Sequence, residues 1–189
     1  MKIPYETPPA WLSAERLMLW NLCALSDLGG RVHLDVLYSR LGQLLRIPED
    51  LLWMEYPPEK KAGDKYIVRH HMRWALTDLN YLRHVNSHGQ GNWSLSDRGA
   101  DFLEPLAEED VPMAGRQWSR RTGINLTPAE GKLERKLIAD RRAEHRRRFP
   151  RRGNGGASAP SQPPSTKPDG WPTDVFSTKP KPPKNDPPD

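Results

Sequence analysis

Three groups of residues in this sequence have side chains and spacings that could do chemistry. Glu130-Gly131-Lys132 matches, as text, the Glu-x-Lys element that holds magnesium beside a scissile phosphate in one class of nuclease. That chemistry also needs an Asp on a neighbouring strand. Here the tripeptide follows Thr127-Pro128 closely, where hydroxyl, proline and Glu130 spell a helix capping box. Capping is the better reading. Glu59-Lys60-Lys61, the other acid–base run, lies in a loop and fails likewise. The histidines come next: His84 and His88 are four apart and His70-His71 adjacent. A zinc site wants ligands converging from one face with a thiol or carboxylate to complete the set. His84 falls at a helix end and His88 in a turn, so contacts to a partner or plain surface positions are expected instead. The single Cys23 sits on an apolar helix face and reads as packing, with no disulfide framework. No nucleophile elbow or phosphate loop is present. The expectation is a chain that is not an enzyme and needs no metal or cofactor.

The third group is basic. Between Lys132 and Arg152 ten Lys or Arg face only Glu134, Asp140 and Glu144, a local charge of +7. The first 131 residues carry −2 and the last 37 are neutral, so the overall +5 belongs to one segment. Such a run is the footprint of polyanion binding. Arg141, Arg142, Arg146, Arg147, Arg148, Arg151 and Arg152 are expected to contact phosphate and release counterions. An acidic protein or RNA is the rival partner, though the sequence offers no evident aromatic platform on which RNA bases could stack.

These groups need elements to position them. Ser13 can cap a helix over 12–25 that is apolar on nearly every side. Gly29-Gly30 ends it, Arg31-Val32-His33 reads as a short strand, and Leu34, Leu37, Leu41, Leu44 and Leu45 mark a second helix. A short third helix starts at Pro48 and stops at Pro57-Pro58, before a polar loop. Asp64 can cap a fourth helix to about Arg83, with Ile67, His71, Trp74, Ala75, Leu79 and Leu82 inward and Tyr81 at the edge. Its outward side carries Arg69, His70, Arg73, Thr77 and Asn80. Runs 85–87 and 93–95 flank a Gly-rich turn and predict a β-hairpin. Ser96-Asp97 caps a last short helix through Leu106. The helix, helix, helix, hairpin, helix order is that of a winged helix-turn-helix.

Two motifs sharpen this. The run His70-His71-Met72-Arg73-Trp74-Ala75-Leu76-Thr77-Asp78-Leu79 and the run Gly91-Asn92-Trp93-Ser94-Leu95-Ser96-Asp97-Arg98-Gly99 resemble the N-terminal domain of Mrr-type restriction proteins. There a Trp-Ala pair lies in the recognition helix and a Gly-x-aromatic-x-Leu-Ser/Thr-x-x-Gly wing follows. Met18 to Gly30 also looks like that family's first helix. The likeness covers about residues 12–106. This chain departs at His70-His71, where the family has Asn-Arg, and at Arg83-His84-Val85, where it has Ala-Gly-Leu. It also has no nuclease domain after the likeness ends. The resemblance implies duplex DNA as partner, a restriction or phage-defence setting, and a separately encoded nuclease subunit as a second candidate partner.

The expected fold is therefore mainly α with a small β-hairpin: an N-terminal extension (1–11), a winged helix-turn-helix domain (12–107), a linker (108–126), an exposed basic helix (127–150) and a disordered Pro-rich tail (151–189). Ten of the 20 prolines fall in that tail. Lys65, Arg69, His70, Arg73, Thr77, Asn80, His88 and Gln90, with Arg141, Arg142, Arg146, Arg147 and Arg148, are the expected DNA contacts. Arg suits guanine and Asn suits adenine in the major groove; Lys65, His88 and Gln90 would meet phosphate or the minor groove. Trp74, Trp93, Leu79 and Leu95 read as core. No apolar run reaches the ~18 residues of a membrane span, and MKIPYETPP lacks a secretory h-region, so a cytoplasmic, nucleoid-associated protein is expected. A docking adaptor within a nuclease complex and a transcriptional regulator are the alternatives.

Overall fold

A computed structural model describes residues 7–57, 65–107 and 115–150. The chain divides into Met1–Arg151 and Arg152–Asp189, and only the first unit contains described residues. Asp64, the loop before it, Arg151, Arg152 and the Pro-rich tail lie outside them.

A single turn of 3-10 helix (Ala10–Leu12) leads into α1 (Ala14–Leu28). The run Leu17–Leu22, broken only by buried Asn21, leaves α1 little polar surface, and such a helix is stable only with neighbours on most sides. It has them. Helix α4 (Ile67–Tyr81) packs on one side, α2 (Leu34–Leu44) on another and α6 (Pro128–Arg148) on a third. Leu17, Met18, Leu19 and Leu22 are completely buried, each contributing roughly 1.5–3 kcal/mol of transfer free energy. Short α3 (Glu49–Leu52) packs against α4.

Between the helices lies a three-stranded antiparallel sheet in the order β1-β3-β2: β1 (Arg31–His33), β2 (Val85–Ser87) and β3 (Asn92–Leu95). Val32 pairs with Trp93 and Val85 with Leu95. The hairpin expected at 85–95 therefore forms, and Arg31-Val32-His33 adds a third strand to it. The β2–β3 turn closes with His88 N–H donating to Asn92 O at 2.9 Å and Gln90 in the left-handed region. Helix α5 (Asp97–Ala107) follows, its first turn capped by Ser96 Oγ, which accepts from Gly99 N–H at 3.0 Å.

Three expectations are corrected. The stretch read as a linker contains a second hairpin, β4 (Trp118–Ser119) with β5 (Gly123–Ile124). Tryptophans hold it down: Trp118 Nε1 donates to Leu45 O at 2.9 Å, and Trp11 Nε1 donates to Arg120 O at 3.1 Å. Trp11 lies so close over Gly123 that a Cβ there would come within 2.7 Å of its ring. Second, the basic helix is not exposed on all sides. Leu137 is fully buried and Leu133, Glu130 and Glu134 nearly so, and the helix packs on α1 and α5. Beside the thin apolar seam, both buried carboxylates of α6 meet arginines: Glu134 pairs with Arg16, and Glu130 with Arg116 at 2.5 Å. Burial nonetheless raises the Glu134 carboxyl above its ordinary range, Arg16 only partly offsetting it. Third, Trp74 is 40% exposed. The buried stripe of α4 is Ile67, Val68, Met72, Ala75, Leu76 and Leu79, which turns Trp74 outward. Leu79 is core as expected, while Trp93 and Leu95 are half-buried against it.

No helix among the described residues is long and apolar enough to cross a membrane.

Candidate nucleic-acid interface

Helix α4 begins after Tyr66, and its outward face carries four half-buried residues, His70, Arg73, Thr77 and Asn80, together with exposed Trp74 and Tyr81. The side chains on it hold one another. Trp74 Nε1 donates to His70 Nε2 at 2.5 Å, and the His70 ring meets Tyr56 edge-on, with centroids 5.6 Å apart. Arg73 Nη2 stands 3.5 Å from His70 Nδ1. Thr77 Oγ1 donates to the Arg73 carbonyl at 3.1 Å, one turn back, as hydroxyls in mid-helix commonly do.

Arg69 lies at the edge of that face, but its guanidinium is turned away from it. Its guanidinium is stacked among Tyr38, Trp53 and Tyr66, at 4.6, 5.1 and 5.6 Å from the ring centroids, and pairs with Asp35 at 2.7 Å. Only 20% of the side chain is exposed. Position 69 lies one turn before Arg73, at the edge of the face nearest α2, and the side chain is drawn to where those aromatic rings converge. Arg69 ties together α2, α4 and the residue after α3, a role that four separate aromatic and acidic residues create and that spacing could not disclose.

At the β2–β3 turn His88 and Gln90 are exposed. His88 Nε2 lies 2.8 Å from Ser94 Oγ, and Arg31 Nη2 reaches the His88 carbonyl at 3.4 Å. Lys65 is exposed and pairs with Glu55 at 2.7 Å. Thus α4 and the turn each keep several expected contacts at the surface.

The arginines of α6 divide. Arg141 is bonded twice, to Glu15 at 2.6 Å and Asp78 at 2.5 Å, and so clamps α6 to α1 and α4. Arg142 reaches Glu15 at 3.3 Å. Arg147 and Arg148 both pair with Glu144, and Arg148 lies 3.6 Å above the Tyr81 ring. Arg146 is exposed, with no acidic partner among the described residues.

Glu130 is committed to the helix start. Its carboxylate accepts from Thr127 N–H at 2.9 Å and Thr127 Oγ1 accepts from Glu130 N–H at 3.2 Å, the reciprocal capping box the sequence spells. Burial, with Glu130 alongside, pushes the Cys23 thiol up to about 12, a neutral packing group at physiological pH. No cluster of three His, Cys, Asp or Glu side chains among the described residues could hold a metal ion.

His84 is only 2% exposed, its ring tilted against Phe102 with centroids 4.8 Å apart, and neither ring nitrogen has a well-formed hydrogen bond. Burial lowers its pKa; the Arg98 main chain offsets this in part, Arg98 and Lys136 charges add to it, and Asp140 opposes them. The unfolded chain therefore binds the proton more readily than the folded one. Stability from this site is complete above the ordinary histidine value, about 6.5, and declines as pH falls below it. Urea melts of wild type and His84→Phe from about pH 7.5 to 5 check this: the stability gap should move in favour of the variant toward acid. A gap that stays constant would mean His84 does not titrate differently on folding.

No protein-family model matches the chain, and neither a curated protein nor a solved structure is detectably similar to it.

Proposed function

We propose that this chain is a non-catalytic, duplex-DNA-binding protein of the winged-helix type, with α4 as recognition helix and the β2–β3 turn as wing. The observation that carries the reading is the chain order α1-β1-α2-α3-α4-β2-β3, with β3 central in the sheet and the polar side chains of His70, Arg73, Thr77 and Asn80 partly exposed along α4. A helix of that kind fits the major groove, where Arg73 suits guanine and Asn80 adenine. Arg69 is withdrawn from that set by its aromatic cage. His88, Gln90 and Lys65 remain contacts for phosphate or the minor groove. The Mrr-like motifs add the setting: a restriction or phage-defence system in the cytoplasm, with the nuclease supplied by another chain.

Fluorescence anisotropy with a short labelled duplex tests this on the full chain. Arg73→Ala/Asn80→Ala should weaken binding by roughly tenfold or more, since each bidentate base contact discriminates by about 1–3 kcal/mol. If the double variant binds as wild type does, α4 is not the reader. A second reading, a protein-docking adaptor, is favoured by one observation: Trp74 and Tyr81 are 40% and 45% exposed on this same face. Large exposed aromatics are typical anchors of protein interfaces. On that reading Trp74→Ala abolishes capture of a nuclease subunit and leaves duplex affinity alone.

A further inference from the structure

The +7 run does not act as one basic surface. Residues 132, 135, 139, 142 and 146 recur at intervals of three and four and so form one stripe along α6. Lys132, Arg135, Arg142 and Arg146 occupy it with Ala139, and all are exposed. The four carboxylates of α6 fall elsewhere: Glu130 and Glu134 are buried, and Asp140 and Glu144 pair with Lys136, Arg147 and Arg148. Among the described residues Lys132, Arg135 and Arg146 make no ion pair, and the Arg142 side chain stays 60% exposed despite reaching Glu15. The stripe lies away from the docked face of Leu133 and Leu137, and about 14 residues of helix carry it for about 21 Å.

We propose that this outward stripe of α6 grips the phosphate backbone of nucleic acid, while Arg141 and Arg148 hold the helix in place. The inference rests on the DNA-binding reading and deepens it. Charge complementarity argues for it: a duplex presents one negative charge per ~1.7 Å of its axis, and an outward row of four cations, three of them without an ion pair among the described residues, faces that dense field. Ala139, at the centre of the row, adds no bulk to hold a backbone away. Because α6 is docked rather than free, the row is pre-organised, and little ordering entropy is given up when it binds.

Salt dependence of duplex binding separates this from a mere effect of net charge. Lys132→Ala/Arg135→Ala/Arg146→Ala should lower the log–log salt slope by roughly 2–3, at about 0.9 for each phosphate no longer neutralised. Lys136→Ala/Arg147→Ala/Arg148→Ala removes the same charge from the paired side and should change the slope by less than about 1. Exposed alanines favour a helix, so the stripe variant should keep its melting temperature. Equal slopes for the two triple variants overturn the proposal. If Arg73→Ala/Asn80→Ala has no effect while the stripe variant loses binding, the α4 reading falls and the stripe stands. If wild type ignores the duplex yet loses retention on heparin when the stripe is removed, the partner is another polyanion and the proposal fails.

Discussion

Replacing Glu130 by alanine should destabilise the protein by roughly 3–5 kcal/mol, the range for breaking a buried ion pair from one side. Both Glu130 oxygens accept from Arg116 Nη1 at 2.5 Å, and the two side chains are 6% and 10% exposed. Alanine leaves the Arg116 cation buried without its counter-charge, which costs more than the pair itself contributes. It also removes the carboxylate from Thr127 N–H and loosens the first turn of α6, worth about 0.5–2 kcal/mol for a missing cap. For a unit of this size each kcal/mol lowers the melting midpoint by about 2–4 °C, so a fall of roughly 10–15 °C is expected by circular dichroism. Glu130→Gln keeps a capping oxygen and loses only the charge, so it should fall between wild type and alanine. A loss under about 1 kcal/mol for Glu130→Ala would show that Leu133 and Leu137 dock α6 unaided.

Gly99→Ala should be nearly as damaging, against the sign that helix propensity alone suggests. Alanine is the better helix former by about 1 kcal/mol, and position 99 lies in the first turn of α5. A Cβ there would stand 2.1 Å from the His84 carbonyl oxygen, 3.1 Å from its carbon and 2.8 Å from Leu95 Cδ1. Leu95 can turn aside; the carbonyl cannot. It accepts from Ser96 N–H at 3.1 Å, and Ser96 Oγ donates to Arg83 O at 2.8 Å, so the α4–β2 corner and the start of α5 are tied together. Arg83 itself has φ +63, a conformation with little room to adjust. Overpacking typically costs about 1–3 kcal/mol and occasionally more, and contact with a fixed backbone oxygen puts this site at the upper end. Urea denaturation at neutral pH measures it, and a stabilised variant would mean that α5 can slide away from His84.

The elements whose signals are local were legible in the residues. Thr127, Pro128 and Glu130 spell a capping box within four positions, and that box forms. Ser96 announces the start of α5 in the same way, and the alternation around the Gly-rich turn yields β2 and β3. These signals involve groups that meet whatever the rest of the chain does. The segment at 118–124 had no such signal: β4 and β5 are two residues each, and they exist because Trp118 and Trp11 tie them to the end of α2 and the N-terminal turn.

The site divides along the same line. Residue types on α4 and the concentration of cations from Lys132 onward are readable directly; which cations remain available is not. Arg69 and Arg73 are four apart, about one turn of a helix, yet Arg69 is enclosed by Tyr38, Trp53, Tyr66 and Asp35, brought in from α2, the end of α3 and the start of α4. Trp74 reads as core by its hydrophobicity, but the buried stripe of α4 runs through Val68, Met72 and Leu79 and leaves it outside.

What the sequence determined by itself is the order and type of the main elements, the caps of α5 and α6, and the concentration of positive charge in a single helix. Periodicity, capping and composition are properties of neighbours in the chain, so they survive without knowledge of the fold. Tertiary structure alone decided that α6 docks on α1, and that Arg116, Arg16 and Arg141 are taken up by Glu130, Glu134 and the Glu15–Asp78 pair. It also decided which cations are left facing outward. The physical reason is that a charge is neutralised by whatever opposite charge lies within a few ångströms, and the partners here are 14 to 126 residues apart in sequence.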